Sequence, residues 1–163
     1  MHSPFAYELI CRAVHPGPYT WYGYADIEQA ISGDSQRAVR RQARMLLRIA
    51  CMLHPRSAFL PLNANNAFHA ALECCDSRML IQRKPSKALD CAMICSYGDF
   101  ISLSVLKAHL KYPDRVIALR NAPRGWAAAL FQALPEGLML CGRHNVLIIS
   151  RPYMRKVAYT VNI

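Results

Sequence analysis

The stretch from residue 57 to residue 72 limits the fold of this chain more than any other part of the sequence. It reads as a short apolar strand that ends at Leu60, a polar turn, and a helix that begins near Ala64. In an open α/β sheet, such a first strand-turn-helix crossing is where a nucleotide-like ligand binds. The turn contains no glycine, although a turn that binds a phosphate or adenosyl group needs backbone without side chains. The pattern therefore predicts an α/β fold without a conventional ligand cradle.

The rest of the chain alternates helices and strands. The predicted helices lie at residues 2–14, 26–31, 36–53, 64–75, 99–110 and 126–134, with a capping turn at residues 32–35. The predicted strands lie at residues 56–60, 78–82, 89–95, 115–119, 138–141, 145–150 and 156–163. The last three strands have no helix between them, which favours antiparallel strands that close one edge of the sheet. This order predicts a three-layer α/β/α Rossmann-like sandwich with a mostly parallel sheet.

Length and composition favour one domain in a reducing compartment. A chain of 163 residues that is 53% hydrophobic can form a sizeable core, so we expect a single domain over residues 1–163. Within it, a helical entrance segment would cover residues 1–55 and the sheet core residues 56–163. No uninterrupted apolar run is long enough to span a membrane, and the first five residues lack the layout of a secretory signal.

The cysteines and histidines point to free thiols rather than to a metal site. The seven cysteines are odd in number, form no CxxC pair and lie mostly in apolar segments. This usage predicts a cytoplasmic location, where thiols stay reduced. The six histidines are scattered, and none pairs with a cysteine at ligand spacing, so no metal is expected.

The net charge of +10 is typical of a soluble basic protein, and nucleic acid or another anionic partner is the alternative that it allows. The predicted helix at residues 36–53 carries five arginines opposite its apolar face, with no acid among them: Arg37, Arg40, Arg41, Arg44 and Arg48. Such a stripe is usually a solvated helix face. Binding of an anionic partner is the alternative interpretation, because it would offset the repulsion between neighbouring arginines.

The two ends of the chain carry motifs of a known family. The N-terminal motif is His2-Ser3-Pro4-Phe5, with Tyr24-Ala25-Asp26-Ile27-Glu28 further on, and the C-terminal motifs are Val146-Leu147-Ile148-Ile149 and Tyr159-Thr160-Val161-Asn162-Ile163. In these motifs and their order the chain resembles a bacterial subgroup of class I S-adenosylmethionine-dependent methyltransferases. The similarity spans nearly the whole chain, with an internal deletion between Gln82 and Leu89. The resemblance implies a methyltransferase sheet with one parallel strand fewer than the family and an antiparallel C-terminal edge.

The same resemblance implies where a cofactor would bind. The positions that match the family's cofactor site are Leu62, Asn63, Asn65, Gln82, Cys95 and Ser96. The family's glycine-rich turn and the acids that end its strands are missing, and the deletion removes the segment that contacts adenine. Gln82 stands where the family has the acid that accepts from both ribose hydroxyls, and a neutral amide accepts less strongly than a carboxylate.

Three functions remain open from the sequence. The first is a degenerate methyltransferase-like protein with no catalytic residue and no bound cofactor, which acts as a binding or interaction protein. The second is an active methyltransferase that binds S-adenosylmethionine at an altered site through backbone groups. The third is an anion or nucleic-acid binding protein that uses the basic residues expected at the carboxyl edge of the sheet, which are Arg83, Lys84, Arg120 and Arg124.

One further pair has the chemistry of a nucleophile and a base. Cys95 and His109 could act together if they met. The predicted order of elements places them at opposite ends of one strand-helix unit. We therefore expect Cys95 to be a core cysteine and His109 to be a surface histidine.

Overall fold

The computed structural model describes residues 3–17, 21–31, 36–143 and 145–161. The chain divides into two compact units, each built from two separate stretches. Unit 1 comprises Met1–Arg56 and Asn63–Leu80, and unit 2 comprises Ser57–Leu62 and Ile81–Ile163. The helix that follows the first strand thus belongs to the mainly helical unit 1, whereas the strand itself belongs to unit 2.

Unit 1 consists of helices, and side-chain caps start the first and the last of them. Its helices are α1 (Pro4–Leu9), which continues as a π-helical segment (Ile10–Val14), then α2 (Tyr24–Ala30), α3 (Gln36–Leu53) and α4 (Asn66–Cys75). Ser3 Oγ accepts a hydrogen bond from the Ala6 amide at 3.2 Å, which caps α1. The predicted capping turn at residues 32–35 lies outside the described residues. None of the described helices combines the length and apolar character that crossing a bilayer requires.

Three arginines of α3 contact other helices of unit 1. The prediction that the arginines form a solvated helix face is wrong for these three. Arg40 Nε and Arg44 Nη2 donate to the two carboxylate oxygens of Glu28 in α2, at 2.6 and 2.7 Å. The Arg44 guanidinium also lies 4.5 Å from the centre of the Tyr24 ring, a cation–π distance. The pattern along α3 could not show this, because Glu28 and Tyr24 come from another helix.

Arg48 is the buried member of this set. Only 5% of it is exposed, and its guanidinium donates to the Ala13 carbonyl at 2.7 Å and to the Tyr24 hydroxyl. Burial lowers the pKa of Arg48, while its hydrogen bond to Tyr24 opposes that shift. Arg48 therefore joins the π-helical segment, α2 and α3. Arg37 and Arg41 stay exposed on the helix surface.

Unit 2 is built on one seven-stranded sheet. The strands are β1 (Ser57–Phe59), β2 (Leu80–Gln82), β3 (Met93–Tyr97), β4 (Val116–Arg120), β5 (Gly137–Cys141), β6 (Asn145–Ser150) and β7 (Val157–Thr160). Their order across the sheet is β2-β1-β3-β4-β6-β5-β7. β1, β3 and β4 pair in parallel, and β6 runs antiparallel to both β4 and β5. The predicted α/β class with a mostly parallel sheet and antiparallel pairing among its C-terminal strands is confirmed.

Two details of the sheet differ from the prediction. β6 lies inside the sheet between β4 and β5, and the edge strand β7 pairs parallel with β5. The third strand begins at Met93 rather than at residue 89, because a 3₁₀ helix occupies Pro85–Asp90. Proline favours the first turn of a helix, where its missing N–H costs nothing, so Pro85 starts this 3₁₀ helix.

One face of the sheet carries the core of unit 2. It packs against α5 (Leu103–His109), α6 (Trp126–Ala133) and the 3₁₀ helix. Residues two apart on a strand share a face, which explains why Ile117 and Leu119 of β4 are both buried in this core. Their neighbours Ala118 and Arg120 point to the other face. The apolar alternation of β4 therefore decides which side of the sheet Arg120 occupies.

Replacing Arg48 tests the buried network of unit 1. We expect Arg48→Met to lower the free energy of unfolding by about 2–4 kcal/mol, because the Ala13 carbonyl and the Tyr24 hydroxyl lose their buried partner. The exposed Arg37→Met should change it by no more than about 0.5 kcal/mol. Urea unfolding followed by circular dichroism measures both. Equal stabilities for the two variants would show that the network does not stabilise unit 1.

Candidate functional site

The carboxyl ends of four strands meet at one edge of unit 2. The parallel registers pair Phe59 of β1 with Ile94 of β3, and Tyr97 of β3 with Arg120 of β4. The Leu60 amide donates to the Gln82 carbonyl at 2.9 Å, which places the end of β2 beside the end of β1. This carboxyl edge is where open α/β sheets bind ligands. It is therefore the candidate site.

The six positions that match the family's cofactor site do not all lie in this unit. Leu62 is 76% exposed, and Gln82 is half-buried at the end of β2. Cys95 and Ser96 are buried within β3, and the Ser96 hydroxyl has no hydrogen-bond partner among the described residues.

Asn63 and Asn65 belong to unit 1. The Asn65 side-chain oxygen accepts from the Ala67 amide at 2.9 Å, so this side chain caps α4. Its oxygen is thus already engaged in a structural role at the start of a helix.

Tyr97, Arg120 and Asn145 form a row across three neighbouring strands, which we call the strand-end row. Tyr97 pairs with Arg120 in the β3–β4 register, and Arg120 pairs with Asn145 in the β4–β6 register. Directly paired residues present their side chains on the same face. The Arg120 guanidinium carbon lies 5.7 Å from the centre of the Tyr97 ring, a cation–π contact.

The strand-end row combines a buried amide, a partly buried cation and an exposed aromatic ring. Asn145 is 7% exposed, and its side-chain oxygen has no hydrogen-bond partner within the part of the chain that the structure describes. Burial lowers the pKa of Arg120, and Tyr97 opposes that shift. The sequence reasoning found Arg120 but missed Tyr97 and Asn145, because only the strand register brings them beside it.

The other basic candidates follow β2 and β4. Arg83 Nη1 donates to the Pro61 carbonyl at 3.1 Å and so lies against the turn after β1. Lys84 is exposed just before the 3₁₀ helix, and Arg124 is exposed between β4 and α6. All four basic candidates thus belong to unit 2, and each closes or follows a strand at the carboxyl edge.

Asp99 is an acid near the same edge. It is exposed and follows the last residue of β3 by two positions. Next to it, Phe100 is 41% exposed and stacks on Phe59 with ring centres 6.4 Å apart. In the described residues 60–62, 82–84, 98–100 and 121–125, which continue these four strands, no other acid occurs.

Cys95 and His109 do not form the site of a nucleophile and a base. Cys95 is buried in the sheet as expected, and burial raises its pKa to about 12. His109 is fully buried, so the expectation of a surface histidine is wrong. Its ring lies against the backbone of Ala92 and Val116, at the amino ends of β3 and β4, whereas Cys95 lies in the middle of β3.

His109 is held in its neutral form. Burial lowers its pKa from 6.5 to about 4, and the nearby Arg115 guanidinium acts in the same direction. The adjacent backbone of Val116 and Ala92 opposes the shift only in part, and neither ring nitrogen has a hydrogen-bond partner among the described residues.

Comparison with known proteins supports the fold of this chain. No protein-family model and no curated protein sequence matches it. The crystal structure of a methyltransferase from Geobacter sulfurreducens is similar, with a TM-score of 0.51 and 13% sequence identity. The match covers 82% of this chain and 92% of that chain. The chain therefore has a methyltransferase-like α/β fold, and at this identity the similarity concerns the fold alone.

Neutral His109 makes stability depend on pH. The unfolded chain binds a proton below about pH 6.5, whereas the folded chain binds it only near pH 4. The contribution of His109 to the free energy of unfolding should be constant above pH 6.5 and fall as the pH drops toward 4, by at most about 3 kcal/mol. Urea unfolding at several pH values measures the slope.

The control for this prediction replaces one histidine at a time. His109→Gln should flatten the slope between pH 6.5 and pH 4, whatever its effect on absolute stability. The exposed His15→Gln should keep the slope of the original chain. An unchanged slope in His109→Gln would contradict the assignment.

Proposed function

We propose that this chain is a methyltransferase-like protein that does not catalyse S-adenosylmethionine-dependent methyl transfer and instead acts by binding a ligand or partner. The observation that carries the proposal is the chemistry of the carboxyl edge of unit 2. Where the methyltransferase-like fold would present acceptors to a cationic cofactor, this chain presents Arg83, Arg120 and the neutral amide of Gln82.

The residues at this edge fit the cofactor poorly. S-adenosylmethionine carries a sulfonium and an ammonium group against one carboxylate, so its net charge is positive. Two like unit charges about 5 Å apart repel by about 3 kcal/mol at the effective dielectric of a protein surface. Arg83 also donates a hydrogen bond to the Pro61 carbonyl in the turn after β1. This backbone acceptor is one that a cofactor could otherwise use. We therefore derive no methyl-transfer step from these residues.

An active enzyme with an altered site is the alternative, and Asp99 is the observation that favours it. Its exposed carboxylate follows β3 and could accept hydrogen bonds from a ligand at the carboxyl edge. In that case the cofactor would be held mainly by backbone groups. Direct binding measurements separate the two functions.

Calorimetry with S-adenosylmethionine is the first test. We expect no binding at millimolar cofactor, because the arginines at the edge repel a cationic ligand. S-adenosylhomocysteine, which has a neutral sulfur, serves as the matched ligand and should bind no more weakly than the methylated form. Micromolar binding of S-adenosylmethionine in preference to S-adenosylhomocysteine would support the active enzyme instead.

The strand-end row also supports a second candidate function, the binding of a phosphate-bearing ligand such as nucleic acid. A guanidinium donates to phosphate oxygens in a fixed planar geometry, and an exposed aromatic ring beside it offers a stacking surface. Arg120 and Tyr97 supply these two groups in contact with each other. Lys84 and Arg124 would add positive charge along the same edge.

Charge reversal at Arg120 tests this second candidate. At about 50 mM salt we expect a short single-stranded oligonucleotide to bind, and Arg120→Glu to weaken its binding at least about tenfold. Arg155→Glu is the matched control, because this exposed residue lies between β6 and β7, away from the carboxyl edge. Fluorescence anisotropy measures both, with inorganic phosphate as competitor.

Salt dependence completes the test. Raising the salt from about 50 to about 200 mM should weaken binding steeply, because phosphate contacts release counterions. If the oligonucleotide fails to bind at low salt, or if the two charge reversals have equal effects, the strand-end row is not a phosphate site.

A further inference from the structure

Asn145 is the member of the strand-end row that phosphate binding leaves unused. It is the first residue of β6, and only 7% of it is exposed. Its main-chain carbonyl accepts a hydrogen bond from the Gly142 amide at 2.8 Å, but its side-chain oxygen has no partner among the residues that the structure describes. A buried amide oxygen without a donor costs free energy, and a ligand that supplies a donor would remove that cost.

Packing alone does not explain an amide at the start of β6. The next two residues of this strand, Val146 and Leu147, are apolar and buried. An apolar side chain of similar size at position 145 would pack beside them and would avoid the cost of an unpaired oxygen. The Asn145 oxygen is better explained as an acceptor for a ligand at the carboxyl edge of unit 2.

The strand registers set the distance between this acceptor and the cation of the row. Asn145 is paired directly with Arg120 across β4 and β6, and Arg120 is paired with Tyr97 across β3 and β4. Directly paired residues have Cβ atoms about 4.5–5.5 Å apart. An aromatic ring, a cation and an acceptor therefore follow one another on one face at steps of about 5 Å. The base, the phosphate and the sugar of one nucleotide are spaced on the same scale.

A nucleic acid offers two kinds of donor to such an acceptor. The amino and imino groups of the bases lie on the base edge that points away from the sugar. The ribose 2′-hydroxyl, in contrast, is on the carbon next to the one that carries the 3′-phosphate. With that phosphate on Arg120 and a base on Tyr97, the donor nearest to Asn145 is the 2′-hydroxyl. Deoxyribose has no hydroxyl at this carbon, and proteins use this difference to distinguish RNA from DNA.

We propose that the strand-end row binds single-stranded RNA in preference to DNA, and that the Asn145 side-chain oxygen accepts a hydrogen bond from a ribose 2′-hydroxyl. The proposal rests on the phosphate site proposed above as the second candidate function, and it adds the identity of the sugar. Tyr97 is 54% exposed, so its ring offers a stacking surface. Every base can stack on such a ring, so the selection concerns the sugar rather than the base.

Ser96 is another polar residue near this edge, but it lies on the other face of the sheet. Its buried hydroxyl also lacks a partner in the part of the chain that the structure describes. Along β3, Ser96 shares a face with Ile94, which belongs to the core of unit 2, and alternates with Tyr97. Asn145 is therefore the acceptor that shares a face with Arg120 and Tyr97.

Matched oligomers isolate the effect of the 2′-hydroxyl. Fluorescently labelled oligomers of uridine, deoxyuridine and 2′-O-methyluridine, each of about ten nucleotides, carry the same base and the same number of phosphates. The uridine oligomer alone offers a donor at the 2′ position. Fluorescence anisotropy at about 50 mM salt should show that it binds at least about fivefold more tightly than either of the others, which is the effect of about one hydrogen bond.

Replacing Asn145 tests the acceptor. Asn145→Leu should bring the affinity for the uridine oligomer down to that for the deoxyuridine oligomer, because the variant has no side-chain acceptor at this position. Gln132→Leu is the matched control, since it also replaces an amide by an apolar group, but at an exposed position of α6. This control should keep the preference for the uridine oligomer. Circular dichroism confirms that each variant is folded.

The outcomes separate this proposal from the phosphate site on which it rests. Equal affinities of the unaltered chain for the uridine and deoxyuridine oligomers, or for the uridine and 2′-O-methyluridine oligomers, would overturn the selection of RNA through a 2′ donor. A preference that survives in Asn145→Leu would overturn the role of Asn145. Each of these results leaves the phosphate site in place, whereas no binding of any oligomer at low salt overturns both. The comparison of oligomers uses the unaltered chain and so needs no variant to fold.

Discussion

The parallel register of β3 and β4 determines the chemistry at the candidate site of unit 2. Pairing Tyr97 with Arg120 sets these residues on the face opposite the core, because Ile117 and Leu119 fill the core from the alternate positions. A shift of one residue would turn Arg120 into the apolar core and Leu119 outward. The burial of two apolar side chains thus fixes where a cation meets an aromatic ring. The binding chemistry of this edge is a consequence of the packing behind it.

Unit 1 shows why a net charge of +10 overstates the charge available to a partner. Arg40 and Arg44 share the carboxylate of Glu28, and Arg48 is almost fully buried among oxygen acceptors. These cations serve the packing of helices, where a guanidinium can satisfy several acceptors at once. The basic side chains therefore form two groups. One group packs between the helices of unit 1, and the other lies at the surface or at strand ends.

The sequence predicted the sheet better than it predicted the site. Short apolar runs located all seven strands, and helical periodicity gave the observed bounds of α3, because both patterns depend on burial. Prediction from the sequence failed where a residue's position depends on a contact with a residue that is remote in sequence. Glu28 could not be assigned to Arg40, Asn145 could not be placed beside Arg120, and the pairing of β7 with β5 depends on where β6 inserts. His109 was misassigned because its burial depends on the packing of α5 as a whole.

The division of each unit into two stretches has a consequence for synthesis of the chain. β1 leaves the ribosome before α4, yet its paired partner β3 comes more than thirty residues later. Likewise α3 presents its apolar face well before α4 is available to cover it. A fragment that stops at Arg56 would lack α4 and so contain no complete unit. Contacts of this range slow folding, because a long loop must close before they form. The nascent chain must therefore carry uncovered apolar surface for longer than a chain whose units are continuous.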